Sequence, residues 1–477
     1  MMKTKKAGLI ALIAFTIVAI LHLFSFEISP LPSQLLFASR WILVALLLVF
    51  AFFKKSLTTW ILVSIFLGVV VGSDFPGVAL SFQPLSQGFI KLIKTIVGPI
   101  LFATLVYGIA GHSDLKQVGR MAWKSLLYFY SATTIALFIG LAAINVSKAG
   151  VGIDASKIPH HDLPKTSAVK DADVAALKNI PEGNQWIYKT TAFFRDIFPE
   201  NIIKSVYENQ VLQIVIFAVI FGIGLAKLPE SKKKPIVDFM ESLSETMFKY
   251  THLIMYFAPI GVGAAMAYTV GHMGVDILKY LFLLLITLYA ALFAFILFVL
   301  LPVALYLKIP IKRFVQAIKE PVSIAFATTS SDAALPVVMQ NMERFGVPRK
   351  IVSFVVPTGY SFNLDGTTLY LSLASIFVAQ AAGMDLSFGQ QLLIALTLMI
   401  TSKGVAAIPR ASLIILIATA EQFGLPIVII AAILGIDELM DMGRTSVNVI
   451  GNCLASVVIA KWEGEFDETK AVAFESE

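Results

Sequence analysis

Apolar runs about twenty residues long, parted by short polar stretches, fill most of the chain. The first, Ala7 to Phe26, follows Lys3, Lys5 and Lys6. A run of about 20 residues crosses the hydrocarbon core as a helix. A charged start of this kind also opens signal peptides, but no A-x-A cleavage pattern follows, so a retained helix is expected. The second run, Leu35 to Phe53, ends at Lys54-Lys55 and carries Arg40 near one end, where the side chain is expected to snorkel to the interface. A third covers Leu57 to about Val71, and further runs cover roughly 85–110, 123–145, 202–226, 244–271 and 275–307. From 311 to 461 the chain stays apolar but is interrupted by Ser, Gly, Pro, Asp, Asn and Arg at membrane depth. The pattern divides the chain at 1–56 (two N-terminal hydrophobic helices), 57–145 (three spans), 146–200 (one long polar loop), 201–310 (three spans), 311–461 (the interrupted core) and a charged tail at 462–477.

Composition turns this pattern into a class. Of 477 residues, 57% are hydrophobic and 14% charged, with a mean hydropathy of +0.82. Soluble domains average about 45–50% and about 25%, so a soluble particle would lack the charge to cover itself. The expectation is one all-α polytopic membrane protein. The net charge is +6, but its bases sit in short clusters beside apolar runs, at Lys54/Lys55, Lys116/Arg120/Lys124, Lys232/Lys233/Lys234 and Lys308/Lys312/Arg313. They read as topology signals, which excludes nucleic acid as a partner and places both termini in the cytoplasm, with the 146–200 loop outside. One cysteine, Cys453, excludes an internal disulfide and a cysteine-cluster metal site.

Three interrupted segments hold the unusual chemistry. They are Ala327 to Pro336, with Ser330, Ser331 and Asp332; Pro357 to Thr367, with Ser361, Asn363 and Asp365; and Thr401 to Arg410, with Ser402, Lys403, Ala407, Ile408 and Pro409. Broken backbone exposes N–H and C=O groups that lipid cannot satisfy. Such breaks are stable against protein, water or a bound solute, and secondary transporters bind their cargo at them. On the last helix, Asp437, Asp441, Arg444, Thr445, Asn448 and Asn452 fall on one stripe, while Leu439, Met440, Ile450, Leu454 and Val457 lie largely outside it. An intramembrane Arg costs at least about 2.5–3.5 kcal/mol, so it must face inward and find an anion. The pair is either structural or a ligand site. As a site, the guanidinium fork matches a carboxylate, and Asp441 can receive an ammonium.

These motifs, in this order, resemble the dicarboxylate/amino acid:cation symporters, the glutamate transporter family. The resemblance runs from about Leu57 to about Glu465. It is carried by Val97-Gly98-Pro99, the serine-containing hairpin ending Leu335-Pro336, Asn363-Leu364-Asp365-Gly366-Thr367, the hairpin around Ile408-Pro409, and Asp441-Met442-Gly443-Arg444-Thr445 with Asn448. It implies eight family spans, two re-entrant hairpins, an elevator mechanism and a homotrimer, here with two extra N-terminal helices. It further implies that Arg444 takes the substrate side-chain carboxylate and Asp441 its amino group. Thr367, Thr445, Asn448, Ser330, Ser331 and the Ala407–Pro409 backbone complete the shell. Family cation sites match Tyr130, Thr133, Thr134, Ser361, Asn363, Asp365 and Ser402. Two departures count: sodium-coupled members carry a carboxylate where Asn452 stands, and Lys403 lies where another sodium would bind. Both resemble the bacterial proton–glutamate/aspartate branch. Members of the animal branch carry a proton on a glutamate at the position of Leu371, so the carrier does not transfer; Asp365 and Asp437 are candidates. Arg410 either supplements carboxylate binding or faces an aqueous vestibule.

The implied activity is import of glutamate or aspartate across the cell inner membrane, coupled to protons, with no organic cofactor. Sodium as coupling ion, at a residual site on Asn363 and Asp365, is the alternative. A C4-dicarboxylate symporter is the competing substrate class. It has no ammonium for Asp441 to receive, and a fixed carboxylate would repel it. An intramembrane enzyme using Ser330 and Ser331 is disfavoured: no histidine follows His272 and no HExxH spacing occurs. A passive channel is disfavoured by the charged site.

Overall fold

The computed structural model describes residues 2–110, 115–153, 198–207, 211–402 and 411–474. The described residues form helices and no strand, as a chain must when lipid offers its backbone no hydrogen-bond partner. In chain order they are α1 (Met2–Glu27), α2 (Ser33–Lys54), α3 (Leu57–Asp74), α4 (Pro76–Leu80), α5 (Gln83–Ala110), α6 (Leu115–Ser147), α7 (Ile202–Tyr207), α8 (Val211–Ala226), α9 (Glu230–Met255), α10 (Ala258–Met273), α11 (Ile277–Phe295), α12 (Leu301–Tyr306), α13 (Ile311–Thr328), α14 (Ser331–Arg344), α15 (Arg349–Phe362), α16 (Asp365–Ala381), α17 (Phe388–Thr401), α18 (Ala411–Gln422), α19 (Ile427–Leu434), α20 (Asp437–Glu463) and α21 (Glu468–Ala473). Two compact units are distinguishable. One comprises Met1–Leu92, His252–Leu281 and Ala431–Glu438; the other comprises Ile93–Thr251, Phe282–Ile430 and Leu439–Glu477.

In the first unit α1 packs on α2, α2 on α3, and α3 on α10. The α3–α10 contact is backbone-close because both helices are glycine-rich there. A Cβ on Gly72 would come within 2.7 Å of the Ala267 carbonyl, and one on Gly68 would overlap the Gly263 carbonyl. Small residues let membrane helices approach when no hydrophobic force draws them together. The apolar run at 244–271 is not one straight span: α9 and α10 meet at a bend of 52°. Pro259, second in α10, cannot donate into the preceding turn.

Arg40 is partly exposed, and it has partners within its own unit. It bonds Asp74 at the end of α3, which also accepts from Trp41 Nε1 at 3.0 Å, and its Nη1 lies 3.3 Å from His22 Nε2. The Asp74 side chain is 5% exposed. Pairing offsets part of the cost of taking these charges out of water, and the pair ties α2 to α3. Asp74→Ala leaves Arg40 with no carboxylate and is expected to destabilise the fold by about 3 kcal/mol. The check is thermal unfolding in detergent, with Arg40→Leu added in the same chain recovering part of the loss; unfolding at the wild-type temperature would show that the pair carries no stability.

In the second unit α6 runs along α16, where a Cβ on Gly140 would overlap Ser372 and the Leu369 carbonyl. The segment 275–307 is one long span through α11 and α12, relaxed by a π turn at Ile296–Leu300 just before Pro302. The first interrupted segment folds as a hairpin: α13 and α14 lie against each other, joined through Thr329, whose φ of +52° is left-handed. Asn341 Nδ2 donates to the Ala317 carbonyl at 2.9 Å and ties the two arms. The tail folds back as well, with the Asp467 N–H donating to the Gly346 carbonyl at 3.0 Å and Phe474 packing on buried Phe345. By length and composition five described helices can cross a membrane, or six with the bent pair counted as one span. The helices α13 to α20 are too short or too polar along their length to be counted among these.

Candidate functional site

The run Pro357 to Thr367 breaks where its polarity predicts. α15 stops at Phe362, α16 starts at Asp365, and Asn363 and Leu364 between them are non-helical, at φ/ψ −107°/64° and −98°/61°. A helix start deep in protein leaves N–H groups without partners. Here Asn448 of α20 supplies them: its Oδ1 accepts from Gly366 N at 2.8 Å and Thr367 N at 3.3 Å, and its Nδ2 donates to Thr367 Oγ1 at 3.0 Å. The approach is possible because residue 366 is glycine; a Cβ there would overlap the Arg444 carbonyl.

One turn before Asn448, Arg444 is 1% exposed. Its Nε donates to Asp441 Oδ1 at 2.9 Å, and the same oxygen accepts from Thr445 Oγ1 at 2.8 Å. Its guanidinium carbon stands 4.2 Å from the centroid of the buried Tyr370 ring, which bears on it through its negative face. A charge pair, a hydroxyl, an amide and an aromatic face thus converge from α16 and α20. Such a set can hold a carboxylate by charge-assisted bonds and an ammonium beside it.

Next to it lies a second polar group. Asn363, Asp365 and Asn452 are all 0% exposed, and among the described residues the amide atoms of both asparagines have no hydrogen-bond partner. Glycines make room for them: a Cβ on Gly451 would stand 2.5 Å from Asp365 Oδ2, and one on Gly359 would overlap Asn452 Oδ1. Unfilled buried amides beside a carboxylate are the donor set expected of a small hard cation.

The sequence-predicted residues divide accordingly. Thr367, Asp441, Arg444, Thr445 and Asn448 come together; Asn363 and Asp365 both lie against Gly451, and Asn452 lies against Gly359. Ser331 is buried, and Ser330 caps α14 by accepting from Ala333 N at 3.4 Å. Asp437 is fully buried at the start of α20. Ser402 closes α17 with its hydroxyl on the Met399 carbonyl at 2.9 Å. Thr133 and Thr134 bond to carbonyls of their own helix, of Phe129 at 2.8 Å and Tyr130 at 2.6 Å. Tyr130 is 41% exposed, and Tyr128, two positions before it, is buried. Lys403, Ala407, Ile408, Pro409 and Arg410 lie outside the described residues, as does the Ser361 side chain.

Sequence reasoning missed Tyr370 and the glycines at 359 and 451, and it named Gly366 only as part of a motif, without its packing role. Tyr370 follows Thr367 by three positions, hence on its face of the helix. That spacing was the available signal, though an aromatic in an apolar helix reads as core.

A model of the sodium:dicarboxylate symporter family matches residues 57–462. The chain is 42% identical over 433 residues to the proton/glutamate-aspartate symporter of Escherichia coli K12, covering 89% of this chain and 97% of that protein. It is 41% identical over 427 residues to the proton/sodium-glutamate symport protein of Bacillus caldotenax, covering 89% and 98%. It is 39% identical over 419 residues to the C4-dicarboxylate transport protein of Bacillus subtilis 168, covering 88% and 96%.

Proposed function

The chain belongs to the sodium:dicarboxylate symporter family, and on that premise we propose that it is a secondary active symporter importing glutamate or aspartate with protons. The observation that carries this is Asp441, which is buried and shares one oxygen between Arg444 and Thr445. Arg444 receives the substrate's side-chain carboxylate. Asp441 turns its carboxylate to the amino group, and Thr445, Asn448 and Thr367 bind the remaining oxygens. Ser330 and Ser331 close the site from one hairpin and Ala407 to Pro409 from the other. The hairpins, α15, α16 and α20 move together as an elevator, in a homotrimer in the cell inner membrane with both termini cytoplasmic.

Asn452 supports protons as the coupling ion. An amide gives the group at Asn363 and Asp365 one negative charge fewer to hold a sodium ion. The test is uptake of labelled aspartate into proteoliposomes, first under a pH gradient without sodium and then under a sodium gradient without a pH gradient. Accumulation under the first alone is expected; accumulation under the second alone overturns the proton reading.

The 39% identity to a C4-dicarboxylate transport protein favours a second substrate class. It separates on Asp441, which a dicarboxylate has no ammonium to meet. Asp441→Ser is expected to weaken aspartate transport by at least about thirtyfold, the lower bound for truncating one partner of a buried charge pair. Residual succinate transport should suffer far less. Equal loss of both substrates would refute the amino-acid assignment.

A further inference from the structure

From Leu281 to Phe295, α11 is apolar at every position but Thr287 and Tyr289. A hydroxyl in such a span has little water to turn to and is stable when it finds an acceptor in the protein. Thr287 finds one in its own helix, at the Leu283 carbonyl 2.7 Å away. Tyr289 reaches across to α20 instead, where its hydroxyl donates to the Leu439 carbonyl at 2.8 Å. Its ring lies against the same turn of α20: a Cβ on Gly443 would stand 3.0 Å from Tyr289 Cζ and 3.1 Å from Leu292 Cδ1. Glycine at 443 is what lets the ring come this near to the α20 backbone.

The turn that Tyr289 holds is the one that carries the charged pair. Leu439 and Gly443 stand four positions apart, the two ends of one rung of a helical ladder, and Asp441 is the residue midway between them. The Leu439 carbonyl has a second lone pair for the phenol. At about 100° per residue, the face between Leu439 and Gly443 points about 180° away from Asp441, about 160° from Asn448 and about 120° from Arg444. The phenol therefore grips the back of a turn whose front presents the substrate-binding side chains. Arg444 has support on the front, from the Tyr370 ring and from Asp441 itself. The backbone beneath Asp441 is held from behind, by Tyr289.

We propose that Tyr289 is a positioning residue for substrate recognition. By fixing the rotation of the Leu439–Gly443 turn, it sets the direction in which Asp441 offers its carboxylate to the substrate's amino group. It acts through Asp441 and not on the substrate. This deepens the symport reading above and rests on it.

The test uses proteoliposomes of the full chain carrying wild type, Tyr289→Phe, Asp441→Ser or both changes together, with the concentration dependence of labelled aspartate uptake as the readout. Tyr289→Phe keeps the ring on Gly443 and removes only the hydroxyl. It is expected to raise the KM for aspartate about two- to tenfold, the equivalent of one hydrogen bond, and to leave the maximal rate unchanged, the signature of a binding group misplaced rather than a protein misfolded. Beside Asp441→Ser the same change should add nothing, because the carboxylate that the phenol orients is gone. An unchanged KM in Tyr289→Phe overturns the assignment. So does a KM effect that persists at full size beside Asp441→Ser, which would make the phenol a general support of the fold. A wild type that takes up no aspartate overturns the symport reading itself, and this assignment with it.

Discussion

Replacing Arg444 with leucine is expected to raise the KM for aspartate by roughly thirty- to five-thousandfold, the range for truncating one partner of a buried, hydrogen-bonded charge pair. Arg444 is 1% exposed, and its Nε is bonded to Asp441. Without it, the incoming carboxylate loses a charge-assisted fork, and Asp441 remains as a buried anion that has lost its bond to the guanidinium. Both changes act against an acidic substrate. Lysine at 444 is expected to recover less than about a tenth of the loss. An ammonium is a point charge: it cannot bond Asp441 and present a planar pair of donors together, nor lie flat on the Tyr370 ring 4.2 Å away. The measurement is the concentration dependence of labelled aspartate uptake, with equal amounts of protein confirmed in each membrane. A leucine variant with the wild-type KM would place the substrate elsewhere.

How far the sequence reveals this arrangement depends on what each feature rests on. Helix ends were legible where they rest on local chemistry. The run Leu35 to Phe53 is α2 within two residues at either end, because apolar length and flanking lysines set both limits. The break at Asn363–Leu364 and the stripe of Asp441, Arg444, Thr445 and Asn448 were legible for the same reason: polarity at membrane depth permits few arrangements. What was not legible lies between residues far apart in the chain. Arg40 has an acid 34 positions away, and nothing in its own helix points to it. Asn448 bonds the N–H of Gly366 across 82 positions, a distance that no periodicity spans. The placing of Tyr130 at the Asn363–Asp365 group came from resemblance alone, and no spacing along α6 points to a group more than 200 positions away. The bend between α9 and α10 had a local signal, Pro259, hidden inside an otherwise continuous apolar run.

The glycine at 366 permits a sharper test of the site, because its neighbours cannot give way. An added Cβ would overlap the Arg444 carbonyl oxygen and lie 2.9 Å from the Arg444 Cα. Those atoms are backbone within α20, so relief requires the start of α16 to move. That movement stretches the Gly366 N–H bond to Asn448 and displaces Thr367 and Asp365, on either side of it, from the two polar groups at once. Gly366→Ala is therefore expected to destabilise the fold by about 1–3 kcal/mol, the usual cost of overpacking. Transport should fall further than that, by at least about a hundredfold, since small misplacements of binding groups cost this much. Gly224→Ala is the matched control. It also lies inside a helix, α8, but nothing stands within 4 Å of the new methyl group, so stability should be unchanged or rise by up to about 1 kcal/mol from helix propensity alone. Thermal unfolding and aspartate uptake on both variants separate the two effects. Wild-type uptake and KM in Gly366→Ala would mean that α16 and α20 do not approach this closely in the working protein, and the geometry assigned to Arg444, Asn448 and Thr367 would fall with it.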